Sequence, residues 1–193
     1  MRIIVGITGA SGVILGVNLL RALAAEPDCE THLVMSEGAK LTLAHETELD
    51  AAQVAALADH CHPVGDLAAS ISSGSFHTDG MVVMPCSMKT LAGVVTGYTD
   101  NLLLRAVDVC LKERRRVVLV PREMPLSPVH LRNMAQAATD GCFIMPPMLT
   151  FYNRPETVQD MIDHVVGKVM AMFGLSFRGF TPWTGGTPSR AVE

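Results

Sequence analysis

The chain has 193 residues, 49% of them hydrophobic and 18% charged, with a net charge of −4 and an isoelectric point near 5.9. That length suits one domain able to bury a core without staples, and the acidic balance excludes the basic face of a nucleic-acid binder. The charge coat is thinner than the roughly 25% usual for soluble domains, and mean hydropathy is +0.31. Two readings follow: a surface covered by further copies of the chain, or simply an apolar α/β domain.

Short apolar runs alternate with longer runs of helical period. Residues 2–8 predict a buried strand and 13–25 a helix; 31–35 a second strand and 37–46 a second helix. A short helix is expected over 50–59, a strand rich in Val and Met over 80–85, and helices over 88–96 and 101–114. A strand over 116–121, a helix over 128–139, a strand over 142–145 and a long helix over 155–173 complete the pattern. Strands without in/out alternation, each followed by a helix, imply a parallel sheet covered on both faces. Right-handed crossovers then give a doubly wound, Rossmann-like α/β domain in three layers. The expected organisation is one domain over 1–175 and an irregular C-terminal arm over 176–193, whose Trp183 needs a pocket.

Five dispersed cysteines (29, 61, 86, 110 and 142), with no CxxC pair, read as reduced thiols rather than a disulfide frame. In His60-Cys61-His62, adjacent side chains on an extended strand point to opposite faces, so one ion does not easily take all three. The opening MRIIVGITGASG does not read as a signal peptide, and no apolar stretch has membrane-spanning length. A soluble, cytoplasmic protein is expected. The basic run Arg114-Arg115-Arg116 is expected to cap a helix C-terminus.

In open parallel sheets, ligands bind beyond the carboxyl ends of the strands. Here those ends are followed by Thr8-Gly9-Ala10-Ser11-Gly12, by Ser36, by Cys86-Ser87-Met88-Lys89-Thr90 and by Arg122-Glu123. Hydroxyls at helix N-termini are ordinary caps, but several on one rim also make an anion cradle. The glycines do not form GxGxxG, and the second strand ends in Ser36 rather than an acid for a ribose diol, which favours a mononucleotide such as FMN over NAD. Arg105 and Lys112 fall on one stripe of their helix with Asp108 between them, which is either a solvated ion-pair ladder or a second phosphate grip. The sequence reading expects both oxyanion grips to open into a single cleft.

The runs GITGASG (6–12), SSGSFHTDGMVVMPCSMKTLAG (72–93), RAVDVCLKERR (105–115), LVPREMPLSPVHLRNM (119–134) and FYNRPETVQDMIDHVVGKV (151–169) carry a family likeness. From residue 3 to about 175 the chain resembles the UbiX-like flavin prenyltransferases, especially the small B subunits encoded with non-oxidative hydroxyarylic acid decarboxylases. The resemblance implies transfer of a dimethylallyl group from dimethylallyl monophosphate to reduced FMN without a metal. The prenylated FMN then goes to a UbiD-type decarboxylase, and the family tends to form dodecamers. It also implies roles: Gly9, Ala10, Ser11, Ser36, Ser87, Met88, Lys89, Thr90 and Arg122 for FMN. Ser73, Arg105, Lys112, Tyr152 and Lys168 fall where the family holds the prenyl phosphate. Glu123 falls at the catalytic acid/base position, and Glu46 and Ser11 at supporting ones. Many members have Arg where this chain has Lys168, which keeps the charge but loses the bidentate fork. Cysteine decarboxylases of the same fold carry Pro-Ala-Ser-Ala-Asn-Thr where this chain has Pro85-Cys86-Ser87-Met88-Lys89-Thr90, so their substrate-binding Asn is missing. A non-catalytic FMN-binding subunit is the other alternative, and it would need neither Lys112 nor Glu123.

Overall fold

The computed structural model describes residues 1–185. Compactness divides the chain ahead of the expected boundary at 175: one unit is Met1–Pro147 and the other begins at Met148. The end of the expected arm, residues 186–193, lies outside the described residues.

The first unit holds strands β1 (Arg2–Ile7), β2 (Glu30–Met35), β3 (His60–His62), β4 (Gly80–Cys86), β5 (Arg116–Pro121) and β6 (Cys142–Ile144). Between them run helices α1 (Val13–Ala24), α2 (Glu37–Glu46), α3 (Ala51–Ala55), α4 (Met88–Thr96), α5 (Leu102–Lys112) and α6 (Pro128–Thr139). The sheet is parallel throughout in the order β3-β2-β1-β4-β5-β6. That is the doubly wound order predicted from the pattern, with its topological switch between β1 and β4. Both central strands are buried along nearly their whole length, β4 completely, as a sheet covered on two faces requires.

Helix starts follow the expected chemistry. Ser36, Ser87, Asn101 and Ser127 each accept the backbone N–H three residues on. Helix α5 buries Leu102, Leu103, Ala106, Val107 and Cys110 against β4, β5 and the 3-10 turn Ser70–Ser72, leaving Arg105, Asp108 and Lys112 on its outer stripe. The basic run does not simply cap α5. Arg115 donates to the carbonyls of Gly74 and Phe76 and to Thr78 Oγ1, at 2.6, 2.9 and 3.2 Å, and so rivets the segment before β4 to the end of the helix.

In the second unit, helix α7 (Val158–Met172) starts at a capping box between Thr157 and Asp160. The chain beyond it folds back: Phe180 packs on Gly167, and its ring lies 5.0 Å from that of His164. Trp183 stands edge-on to Tyr152 at 5.6 Å and stays two-thirds exposed. Among the described residues, no helix is long and apolar enough to cross a membrane.

Candidate active site

The switch point is latched by Thr8, which sequence reading left among the loop residues without a role. Its hydroxyl, fully buried, donates to the Pro85 carbonyl at 2.7 Å and accepts the Ser87 N–H at 2.8 Å. The carboxyl ends of β1 and β4 are thereby held in register. Beyond them lies a cavity of about 440 Å³ walled by Gly9, Ser36, Glu37, Gly38, Val64, Ser87, Lys89, Thr90, Asn101, Leu103 and Leu104. Five expected cofactor residues meet here: Gly9, Ser36, Ser87, Lys89 and Thr90.

The walls suit a flavin mononucleotide on physical grounds. The N-termini of α2 and α4 both open on the cavity and supply oriented dipoles for an anion, with the Lys89 ammonium beside them. Val64, Leu103 and Leu104 give apolar surface for a ring. A Cβ on Gly9 would lie 2.8 Å from the Gly38 carbonyl carbon, so the backbone pass between β1 and α2 exists only because Gly9 has no side chain. Gly38 and Asn101 were not foreseen as wall residues; the only sequence signal was that each flanks a helix start.

The third rim loop is engaged differently. Gly12, in the left-handed region at φ 95°, is the N-cap of α1 and brings no capping side chain. Glu46, from the end of α2, takes that place: one carboxylate oxygen accepts the N–H groups of Gly12 and Val13 at 2.8 and 3.2 Å. Burial pushes the Glu46 pKa up, but the Ser11 hydroxyl, these two amides and the Arg122 charge outweigh it and hold the group below its usual range. Ser11, Glu46 and Arg122 thus form one charged corner, while Ala10 turns the chain through its N–H to Thr8 O at 2.9 Å. Arg122 is tied to the β4 end by its own N–H to Cys86 O at 3.2 Å. Glu123 follows on an exposed loop with one oxygen on the Met124 N–H at 3.1 Å. Met88 opens α4 and packs inward against the core. Cys86 is fully buried, and burial raises its thiol far above neutrality, so it is not a nucleophile here.

The second grip lies elsewhere. Ser73, Arg105 and Lys112 do come together, but against the turn before β4. Arg105 Nε donates to Ser72 O at 3.1 Å and its guanidinium pairs with Asp108 at 2.7 Å. Lys112 Nζ pairs with Glu113 at 2.6 Å beside Gly74, and Ser73 Oγ meets Ser75 Oγ at 2.8 Å. None of the three walls the cavity. At 1.5 Å per residue, Lys112 sits about 12 Å along α5 from Leu104, toward the amino end of the sheet. Along α5, Lys112 therefore stands away from this cavity, whereas Arg105 directly follows the wall residue Leu104. In the second unit, Tyr152 Oη lies 3.2 Å from His164 Nε2, and burial together with the Lys168 charge lowers the pKa of that histidine.

Comparison with known proteins accords with this geometry. The Flavoprotein family profile matches residues 1–170. A probable UbiX-like flavin prenyltransferase of Sedimentibacter hydroxybenzoicus is 58% identical over 185 residues, spanning 96% of this chain and 98% of the relative. A dodecameric FMN-dependent UbiX-like decarboxylase from Escherichia coli O157:H7 superposes with a TM-score of 0.94 at 57% identity, over 96% of this chain and all of that one. AnUbiX, solved in complex with FMN and dimethylallyl pyrophosphate, gives a TM-score of 0.93 at 48% identity, over 96% and 98% of the two chains. A doubly wound sheet with a hydroxyl-lined crevice at its switch point, shared at this identity over nearly full length, places the chain in the UbiX-like flavin prenyltransferase family.

Proposed function

We propose that the chain joins a dimethylallyl group from dimethylallyl monophosphate to reduced FMN and releases prenylated FMN, in the cytoplasm, to a UbiD-type decarboxylase. The observation that carries this reading is the cavity at the β1/β4 switch point, with two helix N-termini, three hydroxyls and Lys89 around apolar walls. Ser36, Ser87, Thr90 and Lys89 hold the phosphate and polar edge of the flavin, and Gly9 keeps the wall flat enough for the ring. When bound, reduced FMN supplies the electron-rich carbon and nitrogen centres that the allyl group joins.

Breaking an allyl–phosphate bond leaves negative charge on phosphate, and stabilising it is the main electrostatic task. Arg105 and Lys112 are the cations for it, with Ser73, Tyr152 and Lys168 as further phosphate contacts. Glu123 exchanges a proton with the phosphate or the flavin, and Arg122, Glu46 and Ser11 set its surroundings. Neither Arg105 nor Lys112 is among the residues walling that cavity, and this reading assigns their grip to the crevice of a neighbouring copy in a homo-oligomer. The dodecameric relative supports that assembly. So do the apolar side chains around Glu123: Met124, Val129 and Leu131 are 83%, 48% and 53% exposed in the single chain.

The test is anaerobic incubation of the protein with reduced FMN and dimethylallyl monophosphate, followed by mass and absorbance analysis of the released flavin. A gain of one dimethylallyl group is expected, and the filtrate should activate a UbiD-type apo-decarboxylase. An unchanged flavin mass overturns the reading.

A further inference from the structure

At the edge of the sheet, four side chains converge on one face of β2 and β3. Glu30 and His32 are two apart on β2, and His60 and His62 two apart on β3, so each pair shares a face. The strands are parallel and in register with His32 opposite His60. Glu30 Oε1 lies 3.0 Å from His32 Nε2 and 3.3 Å from His60 Nε2, and one donor atom from each of the three residues falls within 4.8 Å of the others. Tetrahedral zinc, with bonds of about 2.0–2.1 Å, sets its ligand atoms about 3.3 Å apart.

We infer that Glu30, His32 and His60 form a binding site for a divalent transition-metal ion of the Zn²⁺ type. The donor set is two imidazoles and one carboxylate, which suits such an ion and leaves positions for water. Three features beyond proximity support it. His32 is 3% exposed, and its other nitrogen, Nδ1, lies 2.9 Å from His62 Nε2, a hydrogen bond that holds the proton on Nδ1 once Nε2 takes the metal. Arg2 pairs with the remaining oxygen of Glu30 at 2.7 Å, which fixes the carboxylate with Oε1 toward the histidines. Phe76 packs on His32 in a T-shaped contact, with ring centres 5.3 Å apart. Access is from the His60 side, where the imidazole is 53% exposed. Cys61, between the two histidines of β3, points to the opposite face and takes no part. The ion's effect is to clip the three-residue edge strand β3 to β2.

The test is a zinc titration of the untagged, flavin-containing protein after chelator treatment, read by calorimetry and by thermal unfolding. One Zn²⁺ per chain is expected. His60→Ala, which removes a mostly exposed side chain, should bind at least about tenfold more weakly, and His62→Ala about tenfold more weakly through loss of the orienting bond. Zinc should raise the unfolding temperature of the parent protein but not of His60→Ala. Flavin content should be equal in both, and Cys61→Ser should bind as the parent does. Absence of saturable binding, binding undiminished in His60→Ala, or loss of binding in Cys61→Ser overturns the inference.

Discussion

The two ends of the sheet solve different problems with different materials. At the carboxyl end, helix N-termini and hydroxyls line most of a cavity of about 440 Å³, with Lys89 and Glu37 as the full charges on its wall. Topology delivers it, because the strand order reverses between β1 and β4 and the helices that follow must diverge there. Toward the amino end, the working groups are full charges and imidazoles, each placed by strand register or by a neighbour: Lys112 by Glu113, Glu30 by Arg2. A cavity lined by helix dipoles and one lysine needs nothing from another chain to bind an anion. Exposed cations already paired with carboxylates gain from a phosphate only when another surface desolvates them.

That contrast yields its sharpest tests in catalysis. Glu123→Gln removes the only carboxylate that directly follows β5, at the carboxyl end, and should slow prenyl transfer by about 10²–10⁴-fold with flavin content unchanged; an unaltered rate would take Glu123 out of the mechanism. Lys112→Ala, at the amino end, should keep its flavin and lose about 10²–10³-fold in turnover. Neither variant alone separates a shared site from a self-contained one. Refolding or co-expressing the two together does: mixed oligomers that pair an intact Lys112 with an intact Glu123 from different copies should recover part of the parent activity. No recovery would mean that each chain serves itself.

The carboxyl end was legible in the sequence and the amino end was not. The strands β1, β2, β4 and β5 are apolar runs ending in Gly, Ser, Cys-Ser or Arg-Glu, so both the fold and the rim could be read from them. Five rim residues duly wall the cavity. His60–His62 reads as extended but not as a member of the sheet, because three residues carry no apolar run; pairing with β2 makes them strand β3. The expected helix over 50–59 shortens to Ala51–Ala55 because Asp59 turns away to accept the N–H and hydroxyl of Thr31 at 2.8 and 2.9 Å. Spacing did put Arg105 and Lys112 on one stripe of α5. It could not reveal that the stripe runs toward the other end of the sheet, since that depends on which end of the helix meets the switch point.

Gly9→Ala probes the carboxyl end by shape alone. The added methyl group meets the Gly38 backbone at 2.8 Å, and backbone cannot swing aside as a flexible side chain does. Overpacking of this kind costs about 1–3 kcal/mol. Flavin retention after gel filtration should fall with it, whereas the same readout in Lys112→Ala should not change. Equal retention in the two would mean that the cavity wall is not where the flavin sits.

The smallest effect expected is at the corner where Glu46 caps α1. Its carboxylate accepts from Gly12, Val13 and Ser11, and its pKa is lowered in the folded chain. A lowered pKa means that the folded state favours the ionised form. This contribution to stability is therefore complete above the usual carboxylate range and fades as pH falls through the lowered value. Ser11→Ala removes one of the three donors and should cost about 0.5–1.5 kcal/mol at neutral pH. Glu46→Gln should be less stable than the parent at neutral pH and converge on it in acid, because the parent's carboxyl is then protonated as well. Denaturant unfolding at a series of pH values measures both. A gap between Glu46→Gln and the parent that stays constant into strong acid would mean that the carboxylate charge contributes nothing at the N-terminus of α1, and that the amides of Gly12 and Val13 are as well served by a neutral amide oxygen.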